Sequence, residues 1–70
     1  MTYEIWDVPA GNLLASYDNE QDAWADIERR AQAHGDLELE TLALAFEDDE
    51  GETHTIAAGR KLAHGRHAHA

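Results

Sequence analysis

The chain has 70 residues, of which fifteen are acidic, five are lysine or arginine and none is cysteine, so its formal net charge is −10. This length fits one small domain, and the lack of cysteine excludes disulfides and thiolate metal sites. The negative charge argues against binding to DNA or to anionic lipid, because both are polyanions that would repel the chain.

The N-terminal region predicts a β-hairpin. Residues 2–8 are rich in aromatic and β-branched side chains, a composition typical of a strand. Residues 9–12 then supply proline, glycine and asparagine, which favour a turn. Residues 13–17 return as a second strand.

The clearest predicted element is a helix that begins after Asp18 or Asn19, either of which can cap it, and ends at Gly35. One helix face is defined by residues that recur at helical spacing: Ala23, Trp24, Ile27, Ala31 and His34. We expect Trp24 and Ile27 to pack on the sheet through Ile5, Leu42, Leu44 and Phe46.

A second hairpin is predicted after the helix. Residues 36–40 alternate strictly between polar and leucine side chains, and we interpret them as an edge strand or an extended approach to the next strand. Residues 41–47 form the third strand and residues 53–58 the fourth. The acidic stretch 48–52 joins them as a solvated loop, with Gly51 in the left-handed conformation.

The resulting order predicts an α+β fold, a four-stranded antiparallel sheet with one helix on one face (β-β-α-β-β). One helix cannot shield both faces, so the other face should carry Trp6, Val8, Ala43 and Ala45 without cover. An uncovered apolar patch centred on tryptophan usually marks an interface. We therefore predict a homo-oligomer, in the first instance a two-fold dimer.

Charge divides the chain at residue 52. Fifteen acids against Arg29 and Arg30 leave residues 1–52 at −13, whereas the remainder has no acid and a charge of +3. Residues 60–70 also lack an apolar period. The sequence thus predicts one ββαββ domain over residues 1–59, able to attract a basic protein partner, and a flexible basic, histidine-rich tail over residues 60–70.

Three histidines in this tail, His64, His67 and His69, form a candidate site for a transition metal, because neutral imidazoles bind Zn²⁺, Ni²⁺ or Cu²⁺. Further ligands would have to come from another element or another chain. The alternative interpretation is a polar tail with weak, adventitious affinity for zinc or nickel, and no cofactor is predicted. His34 and His54 are interpreted as isolated histidines.

Signatures of catalysis are missing from the sequence. It has no cysteine nucleophile, no G-x-S-x-G elbow and no glycine-rich phosphate loop. The acidic stretch 47–52 departs from the alternation of a calcium-binding EF-hand loop. We therefore expect a protein that is not an enzyme; a small enzyme with a pocket at a dimer interface is the remaining alternative.

A resemblance to short bacterial proteins of actinobacterial type rests on several segments. They are Tyr3-Glu4-Ile5-Trp6-Asp7, Gly11-Asn12-Leu13, Tyr17-Asp18, His34-Gly35, Leu42-Ala43-Leu44 and the turn Asp49-x-Gly51. The resemblance spans most of residues 3–59. It implies a bacterial, cytoplasmic domain, and because that family has no settled activity it implies no functional residues.

Taken together, these observations predict a small, acidic, homo-oligomeric and non-catalytic protein-interaction module. A regulatory or antitoxin-like role is one function that such a module could have. The alternatives are the histidine-tail metal binder and the small enzyme. Absence of a basic start, of an apolar leader and of an apolar run near 18 residues leads us to expect a cytoplasmic protein without a membrane partner.

Overall fold

The structure is a computed structural model that describes the backbone of residues 1–69 and the side chains of residues 1–66. In chain order its elements are β1 Thr2–Asp7, β2 Asn12–Tyr17, α1 Glu20–His34, a 3₁₀ helix Asp36–Thr41, β3 Leu42–Glu47, β4 Thr53–Ala58 and α2 Arg60–His69. The predicted α+β class and the four-stranded antiparallel sheet are confirmed.

The sheet has the strand order β2-β1-β3-β4, so β1 and β3 are central and β2 and β4 are edges. Each edge strand has one extra residue, Leu14 in β2 and Ile56 in β4, that interrupts its pairing with the neighbouring strand. Both bulges lie at the level where Ile5 of β1 pairs with Leu44 of β3. Bulges bend a strand and increase its local twist, so both edges curve away from a flat sheet.

Helix α1 has the boundaries that its capping residues predict. The Asn19 side chain accepts a hydrogen bond from the backbone amide of Asp22 at 2.8 Å, and Gly35 follows the last turn with a φ of 85°. In the described part of the chain, no helix is long and apolar enough to cross a membrane.

The hydrophobic core lies between the helices and one face of the sheet. Its buried members are Ile5, Ala23, Trp24, Ile27, Ala31, Leu39, Leu42, Leu44, Ala57 and Leu62. Phe46, which we expected beneath α1, is only half-buried, and its ring stacks on that of His54 with centroids 4.9 Å apart.

The alternating segment after α1 is a 3₁₀ helix and not the predicted edge strand or extended connector. Its two leucines differ in burial: Leu39 is completely buried, whereas Leu37 is 77% exposed. A single tight turn is enough to bring one leucine into the core while the other faces water. The alternation of leucine and polar residues in this segment therefore does not indicate strand pairing.

The segment that we expected to be a tail without regular structure is the helix α2. Leu62 is completely buried in the core cluster, and Arg66 forms ion pairs with Glu28 at 2.5 Å and with Asp36 at 3.1 Å. The core therefore draws on a second helix as well as α1. Apolar burial and charge pairing attach this short helix to elements that lie some thirty residues earlier in the chain.

Candidate functional site

The strand register separates the sheet into two faces. On one face, Ile5 and Leu44 pair and point into the core beneath the helices. On the other, Trp6 pairs with Ala43 and Glu4 pairs with Ala45. We call this second surface the open face, because no helix among the described residues contributes to it.

All four predicted interface residues line one groove at this open face. The groove has a volume of about 310 Å³, and its walls are formed by Trp6, Val8, Ala43 and Ala45 together with Asp7, Gly11, Thr53 and Thr55. The structure thus brings together the residues that the sequence singled out. Their role as an interface stays a prediction.

The two alanines form the floor of the groove. Ala45 is only 3% exposed although no described helix covers it, and it pairs with Glu4 of β1 on one side and Thr55 of β4 on the other. Trp6 supplies one wall, and its indole Nε1 donates a hydrogen bond to Glu4 Oε1 at 3.3 Å. Val8 lies at the rim and is 57% exposed. The arrangement offers a concave apolar surface with one ordered aromatic ring.

Charge is sparse on the open face, in contrast to the rest of this acidic chain. The register places these strand residues on it: Thr2, Glu4, Trp6, Leu13, Ser16, Ala43, Ala45, Glu47, Thr53, Thr55 and Ala58. Glu4 and Glu47 are the charged members of this set, and Glu4 is nearly buried. Among these strand residues, the open face therefore carries two of the chain's fifteen acids and no base, and Asp7 adds a third acid at the groove.

A second cluster lies at the tip of the β3–β4 hairpin, where the sequence predicted a solvated acidic loop. Asp48 Oδ1 accepts hydrogen bonds from the backbone amides of Glu50 and Glu52, both at 2.9 Å. Asp48 Oδ2 lies 2.8 Å from His54 Nε2. The hydrogen bond from His54, followed by that from the Glu52 amide, lowers the pKa of Asp48 below its ordinary value.

This cluster contains residues that the sequence interpretation missed. His54 was interpreted as isolated, yet one potential ligand atom from each of Asp48, Glu52 and His54 lies within 4.8 Å of the others. The signal was available in the hairpin geometry. A tight turn brings the first residue of β4 beside the last of β3, and His54 is the second residue of β4.

The predicted histidine site is only partly described. His64 is exposed on α2, while the side chains of His67 and His69 lie outside the described residues. The backbone of this segment is helical and not the extended chain on which we based the pairing of His67 with His69. Metal binding by these three histidines stays a prediction.

A third group of charges joins β2 to α1. The buried Asp26 accepts hydrogen bonds from the Tyr17 hydroxyl and from Arg30 Nε, the latter at 2.5 Å. The hydrogen bond to Asp26, with burial as the next contribution, raises the pKa of Tyr17. Each carboxylate oxygen of Asp26 thus has a donor, which indicates a structural role.

Comparisons of the chain with protein-family models, with curated proteins and with solved structures each find no match. The resemblance to actinobacterial proteins therefore stays a prediction.

Proposed function

We propose that this protein is an acidic interaction module that self-associates through the open face of its sheet. The observation that carries the proposal is the apolar groove on this face, formed by the four side chains that the sequence singled out. Apolar surface is the main source of association free energy between proteins. An apolar patch that no described helix covers is where a partner can bury the most apolar surface.

Charge favours a second copy over a basic protein as the occupant of the groove. A basic partner would be drawn more strongly to the acidic surfaces elsewhere on the molecule, which carry most of the chain's fifteen acids. Two copies of an acidic chain repel each other, and they approach best where each carries the least charge. A face-to-face dimer with two-fold symmetry meets this condition, because both copies use the same surface.

The edges of the sheet are less suited to association. An edge strand recruits another strand when it is long, flat and unprotected. Here both edge strands are interrupted by a bulge, at Leu14 and at Ile56, and each has only six residues. This geometry opposes strand addition and supports the face as the contact.

The size of the open face limits the surface area that a dimer can bury. Four strands about 4.8 Å apart, with six residues each at about 3.3 Å, span roughly 20 by 20 Å. Two such faces bury roughly 800 Å², which is less than the roughly 1,200 Å² typical of stable complexes. An interface of this size belongs to the weak, transient class, so we expect a weak dimer.

Sedimentation equilibrium from about 10 μM to about 1 mM tests the proposal. The expected mass rises from 7.8 kDa toward twice that value as concentration increases. Thr55→Glu should hold the protein at the monomer mass, because Thr55 is exposed and lines the groove. Leu37→Glu is the control, since it removes an exposed apolar side chain outside the groove.

Two results would overturn the proposal. One is a wild-type protein that remains monomeric at about 1 mM. The other is a dimer that Leu37→Glu dissociates and Thr55→Glu leaves intact. Circular dichroism of both variants establishes that each retains its fold.

A further inference from the structure

We propose that Asp48, Glu52 and His54 form a binding site for a divalent transition-metal ion of the zinc type. The site lies at the tip of the β3–β4 hairpin and is independent of the groove. An acidic turn on its own binds water and counter-ions. The imidazole of His54 changes the metal preference of this turn, because mixed imidazole and carboxylate ligands select transition metals over calcium or magnesium.

The donor atoms lie close enough together to hold one metal ion after small side-chain movements. Zinc binds imidazole nitrogen at about 2.0–2.1 Å and carboxylate oxygen at about 2.0–2.2 Å, so two ligands at the tetrahedral angle lie about 3.3–3.5 Å apart. Asp48 Oδ2 and His54 Nε2 are 2.8 Å apart, so they would separate slightly around the ion. All three ligand atoms lie within 4.8 Å of one another, and the exposed Glu52 side chain can approach the other two by rotation about its own bonds.

Two of the three ligands are held in place by the fold. The backbone amides that bind Asp48 Oδ1 orient its carboxylate, so that Oδ2 is the oxygen that faces His54. The His54 ring stacks on Phe46 at an interplanar angle of 24°, and both residues belong to paired strands. A ligand fixed on a strand loses little freedom when it binds a metal.

The charge around the hairpin tip also favours a cation. Glu47, Asp49 and Glu50 flank the site and are not among its three ligands. Their negative potential raises the local concentration of divalent ions. The bound ion would replace the hydrogen bond between His54 Nε2 and Asp48 Oδ2 and would be held by two carboxylates and one neutral imidazole, with water completing its coordination.

Calorimetric titration with zinc chloride tests the site on the full-length chain. The background is the triple variant His64→Gln, His67→Gln, His69→Gln, which removes the competing histidines of the C-terminal segment. In this background we expect one Zn²⁺ per chain. His54→Gln should weaken binding at least tenfold, and the matched control His34→Gln, on α1, should leave it unchanged.

A second readout separates loss of a ligand from loss of the hairpin. In the background protein, zinc should shift the imidazole NMR signals of His54 and leave those of His34 in place. The proposal is overturned if the triple variant shows no zinc binding up to about 1 mM. It is equally overturned if His54→Gln binds zinc as tightly as its parent.

Discussion

Replacing Leu62 by alanine is the sharpest test of the fold, because this residue belongs to a segment whose sequence predicts a tail. In a tail, the substitution would change the free energy of unfolding by less than about 0.5 kcal/mol. In the structure, Leu62 is 0% exposed and belongs to the core cluster with Trp24 and Leu39. One measurement of the free energy of unfolding therefore distinguishes a tail from a core position for Leu62.

The expected loss is large for a domain of this size. Truncation of a fully buried leucine to alanine typically lowers the free energy of unfolding by about 2–5 kcal/mol, and the upper part of the range applies where the surroundings cannot collapse. Leu62 lies on a short helix at the margin of the core, which can relax, so we expect about 2–3 kcal/mol. Domains below about 80 residues rarely exceed about 3–5 kcal/mol in total, so Leu62→Ala should lose about 40% or more of the stability.

Urea denaturation followed by tryptophan fluorescence measures the change. Lys61→Ala, at the exposed neighbouring position, controls for altered helix propensity and should cost less than about 0.5 kcal/mol. If Leu62→Ala and Lys61→Ala have the same midpoint as the wild type, α2 does not contribute to the core and the reasoning fails. A melting temperature lowered by roughly 8–24 °C for Leu62→Ala alone would support it.

Substitutions at three further positions test local features. Gly65→Ala should destabilise the protein by about 1–3 kcal/mol, measured by thermal melting, because the added methyl group would lie 2.9 Å from Trp24 Cζ3 and still closer to Cη2 of the buried ring. Asn19→Ala should cost about 1 kcal/mol in urea denaturation through loss of the helix cap, whereas Asn19→Ser should keep most of that stability because serine also caps well. In an absorbance titration, Tyr17 should ionise above the ordinary tyrosine pKa of 10.0, and Asp26→Asn should lower its pKa. Because the folded pKa is raised, the linked stability is complete below about pH 10 and is lost as the pH rises through the folded value.

Those parts of the fold that depend on local chemistry were predictable from sequence. The sequence predicts a cap at Asp18 or Asn19, a helix stop at Gly35 and a left-handed Gly51, and the structure has the cap at Asn19 and both glycines in these roles. Such signals depend on a residue and its near neighbours, so the pattern alone contains them. The uncovered face of the sheet was also predictable, because a single predicted helix can cover only one of the two faces.

Those parts that depend on distant contacts were not predictable. Residues 36–40 alternate as a strand would, but burial of Leu39 beneath the helices determines their conformation. In α2 the decisive partners of Arg66 are Glu28 and Asp36, and no local pattern reveals an ion pair across thirty residues or more. The hairpin-tip cluster was missed for a different reason. Its three residues are close in sequence, but only the folded turn shows that the His54 imidazole lies against the Asp48 carboxylate.

The strand order β2-β1-β3-β4 has a consequence for the speed of folding. Each hairpin closes over a few residues, whereas the central seam joins Thr2 to Glu47, which are 45 positions apart. Hairpins form in about 1–10 μs, and pairings distant in sequence are slower because the chain must lose more entropy before they form. We therefore expect two rapidly formed halves and one rate-limiting step, the zipping of β1 against β3. Substitutions along that seam should slow folding more than they hasten unfolding.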